Sequence, residues 1–176
     1  MKNGIAAGSA IVALLLASGL GVWAGNRTAR TPAAQSQASI GSPQSQRNDP
    51  VVLLPQDAVL HGETLMAYPE GDYRIIAGWN SSRCYAEWFV VAPAAGWYKA
   101  ELTYSADVNN GGKYILATEK DEWAGNLMST GSWQRYQTVA LGTIYLPKEK
   151  SRLCLKAGEV TGGLCNFRSL RLVPQP

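Results

Sequence analysis

The chain has 176 residues, with 16 Lys and Arg against 13 Asp and Glu, a formal net charge of +3 at pH 7. Lys2, Arg27, Arg30 and Arg47 against Asp49 account for that excess, so residues 51–176, with 12 basic and 12 acidic side chains, are neutral. A nucleic-acid binder displaces phosphate counterions with a basic stripe; the neutral balance excludes nucleic acid as the expected partner.

The chain opens with Lys2 and an apolar run from Ile5 to Ala24 that only Gly and Ser interrupt. This is the charged and apolar pattern of an export signal, and Ala24, after Val22 and Trp23, suits cleavage at that point. A run of about 20 apolar residues also spans a bilayer as one helix, so residues 1–24 read either as a signal peptide or as an uncleaved membrane anchor. Arg27 and Arg30 just beyond the run weaken the charge asymmetry that orients such a helix. Both readings put the rest of the chain outside the cytoplasm, secreted, periplasmic or anchored facing outward, with the membrane touched only by this segment. No Cys closes the run, so a lipoprotein anchor is not expected. A buried core helix explains the run less well, since the polar stretch after it offers nothing to pack against.

Residues 25–50 are rich in Ser, Gln, Ala and Pro, with Ile40 as their one large aliphatic side chain. Such a segment cannot bury enough apolar surface to offset its ordering entropy, and a flexible linker is expected. Residues 51–176 hold five of the six Trp, all eight Tyr and both Phe, and are long enough for one hydrophobic core.

Within 51–176 no helical apolar period lasts beyond about two turns, while period-two alternation recurs between Gly, Pro and Asn breaks. The alternation predicts strands over 58–66, 73–77, 86–92, 97–105, 112–118, 135–141, 143–146, 152–156 and 167–173. In the clearest of these Tyr98, Ala100, Leu102 and Tyr104 share one face and Lys99, Glu101 and Thr103 the other. Many short strands with a turn signal about every dozen residues predict an all-β fold, a two-sheet antiparallel β-sandwich of the jelly-roll kind.

Catalytic patterns are missing. His61 is the one histidine, which removes multi-histidine metal sites, and it sits in a strand context without a nucleophile motif, so a structural role is expected. The close acidic pair Asp121 and Glu122 would point to opposite faces of a strand or sit at a solvated hairpin tip, and a glycosidase needs two positioned carboxylates. No Gly-rich phosphate loop or G-x-S-x-G is present, so neither a cofactor nor an enzymatic activity is expected. Asn26 and Asn80 open glycosylation sequons, relevant only to a eukaryotic secretory pathway; a bacterial envelope is the expected setting.

The order of segments LLPQDAVLHG, GWNSSRCYAEWFVVAPAAGWYKAELTYSA, TGSWQRYQTVALGTIYLP and GGLCNFRSLRLVP resembles the galactose-binding-like jelly rolls, in particular the family 6 and family 35 carbohydrate-binding modules appended to bacterial sugar-processing enzymes. The resemblance spans about residues 53–174 and implies a non-catalytic module that binds a glycan or polysaccharide among loops at one end of the sandwich. Aromatic planes pack on the C–H-rich face of a pyranose, and an amide orients its hydroxyls. Matched by position, the resemblance gives Trp79 as the first platform, Trp133 of the Gly-Ser-Trp loop as the second, and Asn166 as the amide. Trp123 is a further candidate, either as an exposed contact or folded back as a lid. Trp88, Trp97 and Tyr98, on strands, are expected to pack in the core or on a sheet.

Family 6 modules often carry a structural calcium held by carboxylates near the first strand and by an Asp two residues after the terminal Asn. Here that Asp position is Arg168 and the first-strand segment keeps only Asp57; a guanidinium repels calcium, so no metal is expected and Arg168 is expected to pair with Asp57 or a strand carbonyl. By the same resemblance Cys84 and Cys165 border one end of the sandwich, which favours a Cys84–Cys165 disulfide over Cys154–Cys165, with three free thiols as the remaining alternative. Cys154 alternates with Leu153 and Leu155 and is expected to face away from them. A structural or protein-interaction domain of the cell envelope, keeping the fold without the sugar site, is the alternative function; it would take an envelope protein as partner.

Overall fold

A computed structural model describes residues 49–176. The export or anchor segment 1–24 and all but the last two residues of the linker 25–50 lie outside the described residues. No helix among the described residues is long and apolar enough to cross a membrane.

The described chain is all β. In order it forms β1 (Val51–Leu53), a 3-10 turn (Pro55–Asp57), β2 (Val59–His61), β3 (Met66–Glu70), β4 (Tyr73–Ala77), β5 (Tyr85–Val90), β6 (Gly96–Ala106), β7 (Gly112–Ala117), β8 (Glu122–Leu127), β9 (Ser132–Leu146), β10 (Ser151–Val160) and β11 (Asn166–Pro174). One sheet runs β3-β4-β11-β6-β9, with β1 also paired to β11; the other runs β2-β5-β10-β7-β8. Every pairing is antiparallel.

Alternation, interrupted in β11 by an irregularity after Phe167, places the core. Tyr98, Ala100, Leu102 and Tyr104 of β6 and Phe167, Leu170 and Leu172 of β11 turn inward from the first sheet. They meet Ala86, Trp88 and Val90 of β5 and Leu153, Leu155 and Ala157 of β10 from the second. Each such large side chain contributes about 1.5–3 kcal/mol relative to exposure. Trp88 and Tyr98 are core residues with satisfied polar tips: Trp88 Nε1 donates to the Leu54 carbonyl (2.9 Å) and Tyr98 Oη to that of Ala94 (2.7 Å). Trp97 instead lies on the outer sheet surface, 55% exposed, edge-on to its cross-strand partner Tyr145 at 5.6 Å between centroids.

Four differences from the sequence reading have physical causes. The single strand expected over 58–66 is two, β2 and β3, in different sheets, because the chain turns at Gly62 with φ +114°. The two strands expected over 135–141 and 143–146 are one long β9, in which a bulge at Leu141 shifts the register between Ala140, opposite Glu101, and Gly142, opposite Ala100. The hairpin-like segment before Trp123 does turn at 118–121, but its second arm, strand β8, paired along its length with β7, was not among the expected strands. The short β1 has too few residues to display a period and was not anticipated.

Candidate functional site

Four loops gather at one end of the sandwich: 78–84 between β4 and β5, 107–111 between β6 and β7, 128–131 between β8 and β9, and 161–165 between β10 and β11. Backbone bonds knit them. Gly111 N donates to Gly163 O and Leu164 N to Trp79 O, both at 2.9 Å, and Thr130 N donates to Ala106 O at 2.8 Å. Thr130 also accepts from Ala106 N through its hydroxyl (2.9 Å), so the 128–131 loop is pinned to the end of β6. Gly78, at φ +88°, lets the 78–84 loop cross so close to Thr64 that any Cβ there would strike the Thr64 carbonyl.

Two of the expected site residues meet at this rim. Asn166 opens β11 directly opposite Ser105 of β6, and the buried Ser105 hydroxyl donates to the backbone carbonyl of Trp133 at 2.6 Å. Ser105 therefore ties the backbones of Trp133 and Asn166, both half-buried residues, to one point of β6. The far edge of the Trp133 ring reaches the 161–165 loop, where a methyl added at Gly163 would stand 4.0 Å from its Cη2 atom. Sequence reasoning missed Asn110, whose Oδ1 lies beside Gly162 and Gly163, and whose Nδ2 donates to Val108 O at 3.1 Å. Val108 and Met128 add exposed apolar surface from the neighbouring loops.

The other two are placed elsewhere. Trp79 is only 1% exposed, and its Nε1 donates to the Ile76 carbonyl at 3.0 Å; it offers no free ring face, and its part in the rim is the carbonyl that holds Leu164. Trp123 packs its ring on the core from β8, opposite Leu116, because the alternation that buries Leu127 turns Trp123 to the same side. It is neither an exposed contact nor a lid.

The cysteines are three buried free thiols, in place of the expected Cys84–Cys165 bond. Burial alone pushes the enclosed Cys165 thiol well above the usual range. At Cys84 burial also acts upward, but hydrogen bonds from the Ser81 and Thr64 hydroxyls and from the backbone at Asn80 and Ser81 outweigh it and hold the thiol below its ordinary value. Cys154 faces away from Leu153 and Leu155, as expected, with its sulfur 3.9 Å from Glu87. Glu87 in turn lies 3.6 Å from Arg152 and 3.8 Å from His61, and the His61 ring stacks on Tyr85.

Arg168 does not pair with Asp57; no carboxylate lies within ion-pair distance of it among the described residues. Its guanidinium carbon sits 3.6 Å over the Tyr73 ring and 5.1 Å from that of Tyr136, a cation–π clamp that needs no counter-ion. Tyr136 donates its hydroxyl to Glu70 at 2.5 Å. Asp121 and Glu122 are both exposed, and no three His, Cys, Asp or Glu side chains gather for a metal among the described residues. The rim thus brings together the half-buried residues Trp133 and Asn166, a second carboxamide at Asn110 and apolar edges.

No protein-family model matches the sequence, and no curated protein does. Solved structures share the fold. A family 35 carbohydrate binding module from Clostridium thermocellum is 19% identical with a TM-score of 0.62, covering 72% of this chain and 99% of that one. The family 35 module of Abf62 from Cellvibrio japonicus is 18% identical at a TM-score of 0.60, covering 73% and 95%. The C-terminal family 6 module of LamC, a laminarinase from Zobellia galactanivorans, is 17% identical at 0.57, covering 71% and 99%. The domain therefore has the β-sandwich fold of the family 6 and family 35 modules.

Proposed function

We propose that residues 51–176 form a non-catalytic carbohydrate-binding module, carried out of the cytoplasm by residues 1–24, that holds a glycan at the loop rim between Trp133 and Asn166. One observation supports the reading: Ser105 donates to the Trp133 backbone carbonyl and pairs across the ladder with Asn166, so both residues start their strands at the same loop-lined end of the sandwich. An indole offers a face for the C–H side of a pyranose, while Asn166 and Asn110 offer both donors and acceptors to its hydroxyls. The likeness to solved carbohydrate-binding modules supports the same reading at the level of fold. The site is smaller than the sequence suggested, since Trp79 belongs to the core and Trp123 to β8.

Affinity electrophoresis against a panel of soluble polysaccharides tests this. The wild type is expected to be retarded by at least one of them, and Trp133→Ala and Asn166→Ala to weaken binding about tenfold or more, a loss of about 1.4 kcal/mol, with unchanged thermal unfolding. Retention equal to wild type in both variants would reject the site.

A second reading, an envelope protein-interaction domain, is favoured by the exposed Trp97–Tyr145 pair on the outer sheet face. Aromatic residues of this kind are enriched at protein interfaces. Loss of a co-purifying envelope protein on Trp97→Ala, with no polysaccharide retarding the wild type, would support it.

A further inference from the structure

Away from the loop rim, the first sheet has a notch. β11 pairs with β4 only at Phe167, opposite Ile76, and with β1 only from Leu170 to Leu172. Between these contacts Arg168 and Ser169 have no ladder partner on that side, and the register of β11 against β6 shifts at the same place. A cavity of about 390 Å³ opens there. Val52, Leu54 and Pro55 give it an apolar wall, and Arg168, Ser169 and Arg74 line it with donors, Arg74 using one of its five N–H groups on the Ala67 carbonyl at 3.3 Å.

We infer that this notch is a binding site for a small organic carboxylate. Two guanidinium groups line it, and among the described residues neither has a carboxylate within 4.0 Å. Asp72, the one acidic side chain in the lining, leaves a net positive charge. Arg168 already lies 3.6 Å over the Tyr73 ring and 5.1 Å from that of Tyr136, so less rotamer freedom remains to be lost when an anion binds. Glu70, the nearby acid with access to this clamp, is engaged by the Tyr136 hydroxyl instead. A planar fork of N–H donors matches a carboxylate in two parallel bonds, and the apolar wall suits the carbon skeleton of the ligand. The net positive lining disfavours a metal cation. None of this relies on the glycan site, because neither Trp133 nor Asn166 lines the notch.

The test is a titration of the full chain with acetate, glucuronate and glucose at fixed ionic strength, followed by calorimetry and by the arginine Nε–H signals in NMR spectra. Glucuronate and acetate are expected to shift the Arg168 signal in a saturable way, while glucose and an equal concentration of chloride leave it in place. Glucuronate binding well ahead of acetate assigns the carboxylate to an acidic sugar; comparable binding assigns it to carboxylates in general. Arg74→Gln, at an exposed position outside the clamp, is expected to weaken glucuronate binding at least about fivefold without lowering the unfolding temperature. Trp133→Ala is expected to leave glucuronate binding at the notch unchanged. No saturable shift, an equal response to chloride, or wild-type affinity in Arg74→Gln would overturn the inference.

Discussion

Trp79 and Trp133 stand in similar surroundings in the sequence, each flanked by Gly, Ser or Asn, yet one is sealed in the core and the other edges the rim. The difference arises from tertiary contacts that no local pattern carries. Trp79 follows directly on β4 and folds back so that its indole N–H reaches the carbonyl of Ile76 three residues earlier, whereas Trp133 starts β9 where β6 offers only Ser105 as an anchor. Truncating Trp79 to Ala is expected to cost about 3–5 kcal/mol by leaving a cavity, read as a fall in the urea midpoint. Loss of glycan retention with full stability in Trp79→Ala would contradict its place in the core. Asn166 was named only by its positional match to the carbohydrate-binding modules; Asn110 has no such match, and its place beside Gly162 and Gly163 depends on a neighbouring loop.

At the scale of elements, β4, β6 and β11 could be read from the sequence to within a residue or two, β6 from its alternation, β4 from a short apolar run between Gly71 and Gly78, and β11 despite the break in its alternation between Phe167 and Ser169. β8 could not: Glu122–Leu127 contains Gly125 and Asn126, poor strand formers, and its position at the sheet edge is set by pairing with β7. Gly125 is there because the Tyr114 ring lies across that position, where a Cβ would fall 2.6 Å from its hydroxyl oxygen. The clamp joining β4, β9 and β11 was equally hidden, since it assembles Tyr73, Tyr136 and Arg168 from three distant segments. Its titration is informative. Burial first, and then the hydrogen bond to Glu70, push the Tyr136 hydroxyl from its ordinary 10 up to about 12. The folded value is raised, so the neutral hydroxyl contributes stability that is complete below pH 10 and is lost as the pH climbs toward 12. In Tyr136→Phe that contribution is absent, and the unfolding free energy is expected to decline less over this alkaline range than in wild type. Parallel curves for the two proteins would contradict the buried Tyr136–Glu70 contact.

At the largest scale, the domain of residues 51–176 has the fold of family 6 and family 35 modules at an identity too low for the sequence alone to carry function. Its class was legible because two-layer β folds announce themselves through period two, and its neutrality because charges can be counted. The loop rim proposed to bind is set by how loops from distant segments converge, which depends on long-range strand order. Chemical-shift mapping of the wild-type domain with a polysaccharide that retards it is the most direct measurement of the central claim. The account predicts saturable shifts centred on the Trp133 indole N–H and the side-chain amides of Asn166 and Asn110. Shifts centred on Trp97 and Tyr145, with the Trp133 and Asn166 signals unmoved, would contradict it.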